Sequence, residues 1–293
     1  MITVIGSLNI DLVTSVERYP KLGETLLGND FQTKYGGKGA NQAVAAARLG
    51  GAVQMVGCVG SDSYGDNYRS YLKGEGILID NVEPVTHTST GTASITIAEG
   101  DNSIIVVPGA NFALTPDVIE SKKEVIANSQ VILLQLEIPM ETVEKVLEIA
   151  KENDVVTILN PAPFQTIPAH WWDMITYITP NEHEAAMLME SADFKQGYKE
   201  KIIMTNGSKG VVFYQDGMEQ MVPAPKVEVV DTTGAGDTFN GALAYFLHEG
   251  KVLNEACRFA VGAASLSVTK FGAQGGMPTL EELKSFMGET FRG

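Results

Sequence analysis

From residue 116 onward the chain alternates short apolar runs with amphipathic stretches, and that alternation leaves few folds open. Val131 to Gln135, Val155 to Leu159, Ile175 to Ile178 and Ile202 to Thr205 read as buried strands. Between them, residues 140–152 put Val143, Val146, Leu147 and Ala150 on one helical face, and a further helix starts at Asn181 or Glu182. Strands separated by helices pair in parallel, and the helices cover both faces of the sheet. Ile2 to Ile5 adds a strand at the start of the chain, and helices near 236–249, 252–266 and from Thr279 close it. The expectation is an α/β fold on a mostly parallel sheet, and 293 residues suffice for one large domain with a small appendage or for two modest domains.

One of the late helices opens on an unusual turn, Asp231-Thr232-Thr233-Gly234-Ala235-Gly236-Asp237. Phe239, Ala242, Leu243 and Phe246 follow at the spacing of a single buried stripe, so the glycines stand at the helix start. A helix start offers unpaired N–H groups and a positive partial charge, and a glycine turn lets an anion come close. The dinucleotide fingerprint fails because Phe239 stands where its third glycine belongs. A Walker A loop fails at Gly37-Lys38, since Gly39 follows where a serine or threonine is needed. What remains is an anion cradle holding an acid. Asp237 is expected to stay ionised beside the dipole and to accept an alcohol proton, although an acidic first-turn residue equally serves a plain helix start.

A second glycine-rich helix start, Gly36-Gly37-Lys38-Gly39-Ala40-Asn41, precedes an alanine-rich helix stopped by Gly50-Gly51, and suits a hydroxyl-rich ligand. Ligands of parallel sheets gather beyond the carboxyl ends of the strands. There the sequence places Asn9 and Asp11, Gln135 and Glu137, Asn160, Asn181 and Glu184, and Thr205 with residues 206–210. Each alone is ordinary turn or cap chemistry; together they point to one crevice. Residues 12–35 show strand-like pieces without helical period, and residues 92–107 read as a hairpin whose second strand, Ile104 to Val107, is apolar throughout. Both faces of that strand should be covered, as in a lid whose outer face meets a second subunit.

Composition narrows the partners. Net charge is −15, from 21 Lys and Arg against 36 Asp and Glu, with no basic run, which disfavours nucleic acid and anionic membrane. There is no run of about 18 apolar residues and no basic segment ahead of Met1 to Val13, so neither a membrane span nor a signal peptide is expected. Cys58 and Cys257 lie in apolar stretches outside any CxxC pair and read as reduced core thiols of a cytoplasmic protein. His183-Glu184 continues as Ala-Ala-Met, which breaks the zinc-protease spacing. Trp171 and Trp172 read as packing residues, and the Thr269 to Gly276 loop suits carbonyl ligation of a cation as well as a plain connection.

Three blocks in order, Gly36 to Asn41, Asn181 to Glu184 (N-x-x-E) and Asp231 to Asp237, resemble the ribokinase family of ATP-dependent sugar kinases over essentially the whole chain. Asn9 with Asp11, Glu137 after Leu-Leu-Gln-Leu, and Asn160-Pro161-Ala162-Pro163 extend the likeness. The resemblance implies a Rossmann-like α/β kinase domain over residues 1–293, with a β lid from roughly 12–35 and 91–108. It implies D-ribose held by Asn9, Asp11, Gly37, Lys38, Gly39, Asn41 and Glu137, with Asp237 as the base for the 5-hydroxyl. Gly234, Ala235 and Gly236 would form the anion hole, and Asn181, Thr205, Gly207, Ser208, Lys209, Gly210, Gly236 and Val261 would bind ATP. Glu184 would act on magnesium (Mg2+) through water, and Asp231, Thr233, Ser267, Lys270, Gly272 and Gly276 would hold potassium (K+). A homodimer joined through the lid completes the expectation.

Overall fold

The computed structural model describes residues 1–288. The strands are β1 (Ile2–Ile5), β2 (Asn9–Ser15), β3 (Asp30–Gly36), β4 (Val53–Gly60), β5 (Leu78–Val85), β6 (Gly91–Ala98), β7 (Asp101–Val107), β8 (Val131–Leu134), β9 (Val156–Leu159), β10 (Tyr177–Ile178), β11 (Ile203–Thr205), β12 (Val211–Gln215) and β13 (Met218–Val222). The helices are α1 (Lys38–Arg48), α2 (Ser63–Gly74), α3 (Pro116–Ser121), α4 (Lys123–Ala127), α5 (Met140–Glu152), α6 (Glu182–Glu190), α7 (Ala235–His248), α8 (Leu253–Ser267), the single turn α9 (Ala273–Gly276) and α10 (Leu280–Met287). Among the described residues no helix is long and apolar enough to cross a membrane.

The large sheet runs β10-β9-β8-β1-β4-β5, with every pairing parallel, as the alternation requires. Alternate side chains of β1 feed two cores. Ile2 and Val4 join the helices α1, α7 and α8, while Ile5 joins the side covered by α3, α4 and α5. The stripe expected in α7 is real, since Phe239, Ala242, Leu243 and Phe246 are all at most 3% exposed. Trp171 and Trp172 are buried, and Trp172 stacks on Tyr198 with centroids 4.9 Å apart. Cys58 and Cys257 are buried free thiols.

The chain leaves β1 for one side of the sheet through β4 and β5, and returns on the other side at β8. That reversal opens a crevice at the carboxyl ends of β1 and β8, where Ser7, Asn9, Gln135 and Glu137 lie. A separate four-stranded sheet, β3-β2-β6-β7, borders it, with β2 and β6 parallel and both outer pairings antiparallel. Its first strand begins at Asn9, three residues earlier than the expected boundary, so Asn9 and Asp11 stand on a strand rather than in a loop. A third sheet, β11-β12-β13, extends the far edge through the bridges Ile178 to Ile202 and Asn181 to Thr205. Its hairpin, like β4, α2 and β5, lies where the apolar pattern predicts neither strand nor helix.

β7 is an edge strand of the four-stranded sheet. Ile104, Ile105, Val106 and Val107 are 48–67% exposed, so no element among the described residues covers this edge strand. The apolar run reflects a strand that a single subunit leaves bare.

Candidate active site

Two helix starts meet at the crevice, and glycines make the meeting possible. Gly37 precedes α1 with φ of 88°, and a Cβ there would lie 2.7 Å from the backbone nitrogen of Asn9. A Cβ on Gly39 would lie 2.6 Å from the nitrogen of Ser7, so α1 begins in direct contact with the β1–β2 turn. This contact presents the Lys38 N–H to Glu137 Oε2 at 3.0 Å, which Ser7 Oγ also approaches. Gly241 performs the same service inside α7: its Cβ would lie 2.5 Å from the carbonyl oxygen of Gln42, and the two helices touch backbone to backbone.

Close contact of α1 and α7 brings Asp237 to Asn41. Asn41 Nδ2 donates to Asp237 Oδ2 at 2.9 Å, and Gln42 Nε2 donates to Asp237 Oδ1 at 3.1 Å. Burial pushes the Asp237 carboxyl above its ordinary value, against the field of Lys38 and these two amide bonds, while Glu137 pushes the same way as burial. The helix start favours the charged acid, yet the carboxyl is raised and not lowered, because only 8% of the residue is exposed and burial is the largest influence on it.

Around Asp237 a cavity of about 170 Å³ is lined by Lys38, Asn160, Asn181, Glu184, Thr205, Gly234, Ala235 and Gly236, among others. Gly234 takes a left-handed conformation, φ 76°, which turns the chain into α7. Ala235 N–H is engaged by Thr232 O at 3.2 Å, whereas Gly236 and Asp237 stand in the first turn, where N–H groups have no intrahelical acceptor. A Cβ on Gly236 would meet nothing within 4 Å, so the space beside it is open. Asn181 and Glu184 cap α6 reciprocally: Asn181 Oδ1 accepts from Glu184 N–H at 2.8 Å, and Glu184 Oε2 accepts from Asn181 N–H at 2.9 Å. The expected N-x-x-E block is therefore also a capping box. A wider cavity near Phe164, Ile167 and Trp172 has Glu190 as the one ionisable residue of its wall among the described residues, and neither glycine-turn helix start lines it.

On the sheet side of the crevice, Asn9 Oδ1 accepts from Asn111 Nδ2 at 2.7 Å, while Asn111 Oδ1 accepts from Leu8 N–H at 2.9 Å. The amide nitrogen of Asn9 is therefore the end left for a ligand. Asp11 has its carboxyl pushed up to about 6 by burial and by Glu137, with Lys34 opposing. Gly36 leaves room for it, since a Cβ there would lie 2.4 Å from the carboxylate. A carboxyl raised from 3.8 to about 6 favours the folded state when protonated; that contribution is complete below about 3.8 and is lost as pH rises through about 6. Asp11→Asn should therefore raise the melting temperature at pH 7. A lower melting temperature would contradict the buried charge.

The expected cation residues also converge. Asp231 Oδ1 accepts from the N–H and the hydroxyl of Thr233, at 2.9 and 2.6 Å, and Oδ2 accepts from Gly272 N–H at 2.9 Å. Burial disfavours the charge of Asp231, yet these bonds hold its carboxyl below the ordinary value. Val230 and Asp231 N–H groups both reach Val268 O, which stitches the turn before α7 to the end of α8. Lys270 Nζ points to Glu282 Oε1 at 2.6 Å, so this residue could offer a cation only its carbonyl. Gly276 has no room for a side chain, because a Cβ would lie 2.3 Å from Ser267 O. Oxygens of Asp231, Thr233 and the loop carbonyls form a donor set that fits a hard cation.

The remaining expected positions are spread more widely. Gly207, Ser208 and Lys209 form an exposed turn after β11, and Gly210 at φ 105° lets the chain pass the carbonyl of Val222. Val261 is 5% exposed within the core beside α7, away from the cavity wall. Conversely, Gln42, Asn111 and Gln274 are buried polar residues linked to the site that none of the motifs includes, whereas Gln135 belongs to the expected cluster beyond the strand ends. Gln42 directly follows the Gly36 to Asn41 block, which was the available signal.

Fold and site together define an enzyme class. Residues 1–280 match the family described as pfkB family carbohydrate kinase, and the chain belongs to that family. Among its relatives, a ribokinase of Bacillus subtilis is 50% identical over 289 residues, covering 98% of this chain and 99% of the relative. A solved ribokinase of Thermotoga maritima superposes with a TM-score of 0.89 at 38% identity, covering 98% of this chain and 99% of the other. An Arabidopsis thaliana ribokinase, solved with ribose and ATP, gives a TM-score of 0.90 at 35% identity, covering 98% of both chains.

Proposed function

We propose that the chain transfers the γ-phosphoryl group of ATP to the 5-hydroxyl of D-ribose, giving ribose 5-phosphate and ADP. The observation that carries this reading is the carboxylate of Asp237, held by Asn41 and Gln42 in the cavity that the first turn of α7 and the Asn181–Glu184 cap also line. Asp237 takes the hydroxyl proton as the oxygen attacks phosphorus. The N–H groups at the start of α7, with Lys38, offset charge that builds on the transferring group. Asn9, Asp11, Asn41 and Glu137 orient the sugar, and Asn181, Thr205 and the 207–210 turn face the nucleotide. The ribose and ATP bound to the Arabidopsis relative support this assignment of substrates.

Glu184, buried and with its carboxyl raised by that burial, is the residue that would hold Mg2+ at the phosphates, through water. Such an ion neutralises phosphate charge. Asp231, Thr233 and the carbonyls around Gly272 would hold K+ and steady the turn that carries the N–H groups. Exchanging sodium for potassium should raise turnover, and equal rates in the two salts would remove this site. The bare strand β7 is where a second copy would pack, giving a homodimer joined through the lid sheet; a sedimentation mass near the 31.4 kDa of one chain would contradict it. Buried free thiols suit a reducing cytoplasm, where ATP is available.

ADP release measured with ribose, 2-deoxyribose, fructose and adenosine tests the proposal. Ribose should give the highest kcat/KM. Faster turnover of adenosine, or none on ribose, would overturn it.

A further inference from the structure

The carboxylate of Asp237 sits inside a relay of buried amides that no step of the reaction described above uses. Gln42 is fully buried, and its Nε2 donates both to Asp237 Oδ1 at 3.1 Å and to Asn160 Oδ1 at 3.2 Å. A carboxylate only accepts, so Gln42 must turn its NH2 toward Asp237 and its oxygen away. There Gln135 Nε2 donates to Gln42 Oε1 at 2.7 Å. Asn160 is oriented in turn, its Nδ2 donating to Thr179 O at 3.3 Å. Gln135 is wedged against Gly6, where a Cβ would lie 2.0 Å from its Oε1, and that oxygen has no partner among the described residues. Every amide in the relay thus has one permitted orientation, and the relay ends on the acid.

We propose that Gln42 is a positioning residue for phosphoryl transfer: its amide, fixed by Gln135 and Asn160, sets the plane of the Asp237 carboxylate from which the sugar hydroxyl's proton is taken. The inference rests on reading Asp237 as the base. Asn41 donates to the other oxygen, so the two amides grip the carboxylate at both ends and leave it no free rotation about its Cβ–Cγ bond. Asn41 Oδ1 accepts from Gln274 Nε2 at 2.8 Å, whereas the Gln42 amide is taken up by Asp237, Asn160 and Gln135, so Gln42 acts through the acid. The charged groups near Asp237 are Lys38 on α1, Glu137 after β8, Asp11 on β2 and Glu184 on α6. Of these Lys38 alone favours the ionised acid, so the loss of an amide donor should be felt in the pH at which Asp237 becomes active.

The test compares kcat and both KM values from about pH 5 to 9 for the parent, Gln42→Met and Gln42→Glu, with Asp237→Asn as reference. Gln42→Met removes the donor at nearly constant volume. It should lower kcat by roughly tenfold to a hundredfold, as expected for a lost hydrogen bond to a charged group. It should leave the KM for ATP within about twofold, and move the acid limb of the kcat profile to higher pH. Gln42→Glu sets a second carboxylate against the first and should move the limb further. Should Gln42→Met lack a cooperative melting transition, Gln135→Met carries the test, since it disturbs Gln42 without touching Asp237. A limb shifted upward by that variant supports the proposal, and an unmoved limb overturns it. For Gln42→Met itself, a profile superimposable on the parent's, or a loss confined to the KM for ATP, overturns it. If Asp237→Asn is silent while Gln42→Met matches the parent, this inference alone fails. If Asp237→Asn keeps the parent's rate, or the parent does not turn over ribose, the proposed function fails with it.

Discussion

Asp237→Asn should fold as the parent does and turn over ribose roughly 10²–10⁴ times more slowly, with the loss in kcat. Asparagine has the shape of aspartate but no acid–base capacity at its amide. It also meets two amide donors, from Asn41 at Oδ2 and Gln42 at Oδ1, so its own NH2 faces another NH2 whichever way it turns. Relief of a buried charge offsets that contact, and the thermal transition should stay close to the parent's. Asp237→Ala leaves the same two donors without their acceptor and should be equally slow but less stable. Steady-state rates with saturating ribose and ATP decide the matter. Near-parent turnover in either variant would take the acid out of the chemistry.

Gly37→Ala should cost at least a hundredfold in kcat/KM for ribose, and about 1–3 kcal/mol of stability. Two independent obstacles add. At φ 88° and ψ 129° an L-residue is strained, and its Cβ would meet Asn9 N at 2.7 Å, Ser7 O at 3.0 Å and Leu8 Cα at 3.1 Å. All three are backbone atoms, so no side chain can swing aside. Either α1 retreats from the β1–β2 turn, drawing Lys38 N–H off Glu137, or β2 shifts and carries Asn9 with it. Both outcomes disturb the part of the crevice proposed to hold the sugar, while α7, β10 and the part proposed to face the nucleotide stay intact. Kinetics with ribose and with ATP varied separately, together with a thermal melt, would show this asymmetry. Parent-like ribose kinetics would mean that the glycine is dispensable.

What the sequence disclosed was local. The apolar stripe of α7, the glycine turn at 234–236, the alternation that makes a parallel sheet and the hairpin at 91–107 each depend on neighbours a few residues apart, and each stands in the structure as read. The ordered blocks placed Lys38, Asn181, Glu184 and Asp237 around one crevice, with Asn41 bonded to Asp237, because strand ends of a parallel sheet collect there. What stayed hidden depends on long-range contact. Gln42 meets Asp237 across 195 positions only because Gly241 lets α7 lie on α1, and Asn111 reaches Asn9 across 102. The raised carboxyl of Asp237 is hidden for the same reason: a dipole can be read from a helix start, but desolvation needs the walls. The apolar run of β7 tells that a surface is to be covered and not which chain covers it.

The most direct measurement is the position of the new phosphate ester. Ribose and MgATP incubated with the protein, followed by phosphorus–proton coupled NMR of the sugar product, should show phosphorus coupled to the two C5 protons and to no other carbon-bound proton. A phosphate on O1, or ADP formed with no sugar ester, would contradict a 5-hydroxyl seated beside Asp237.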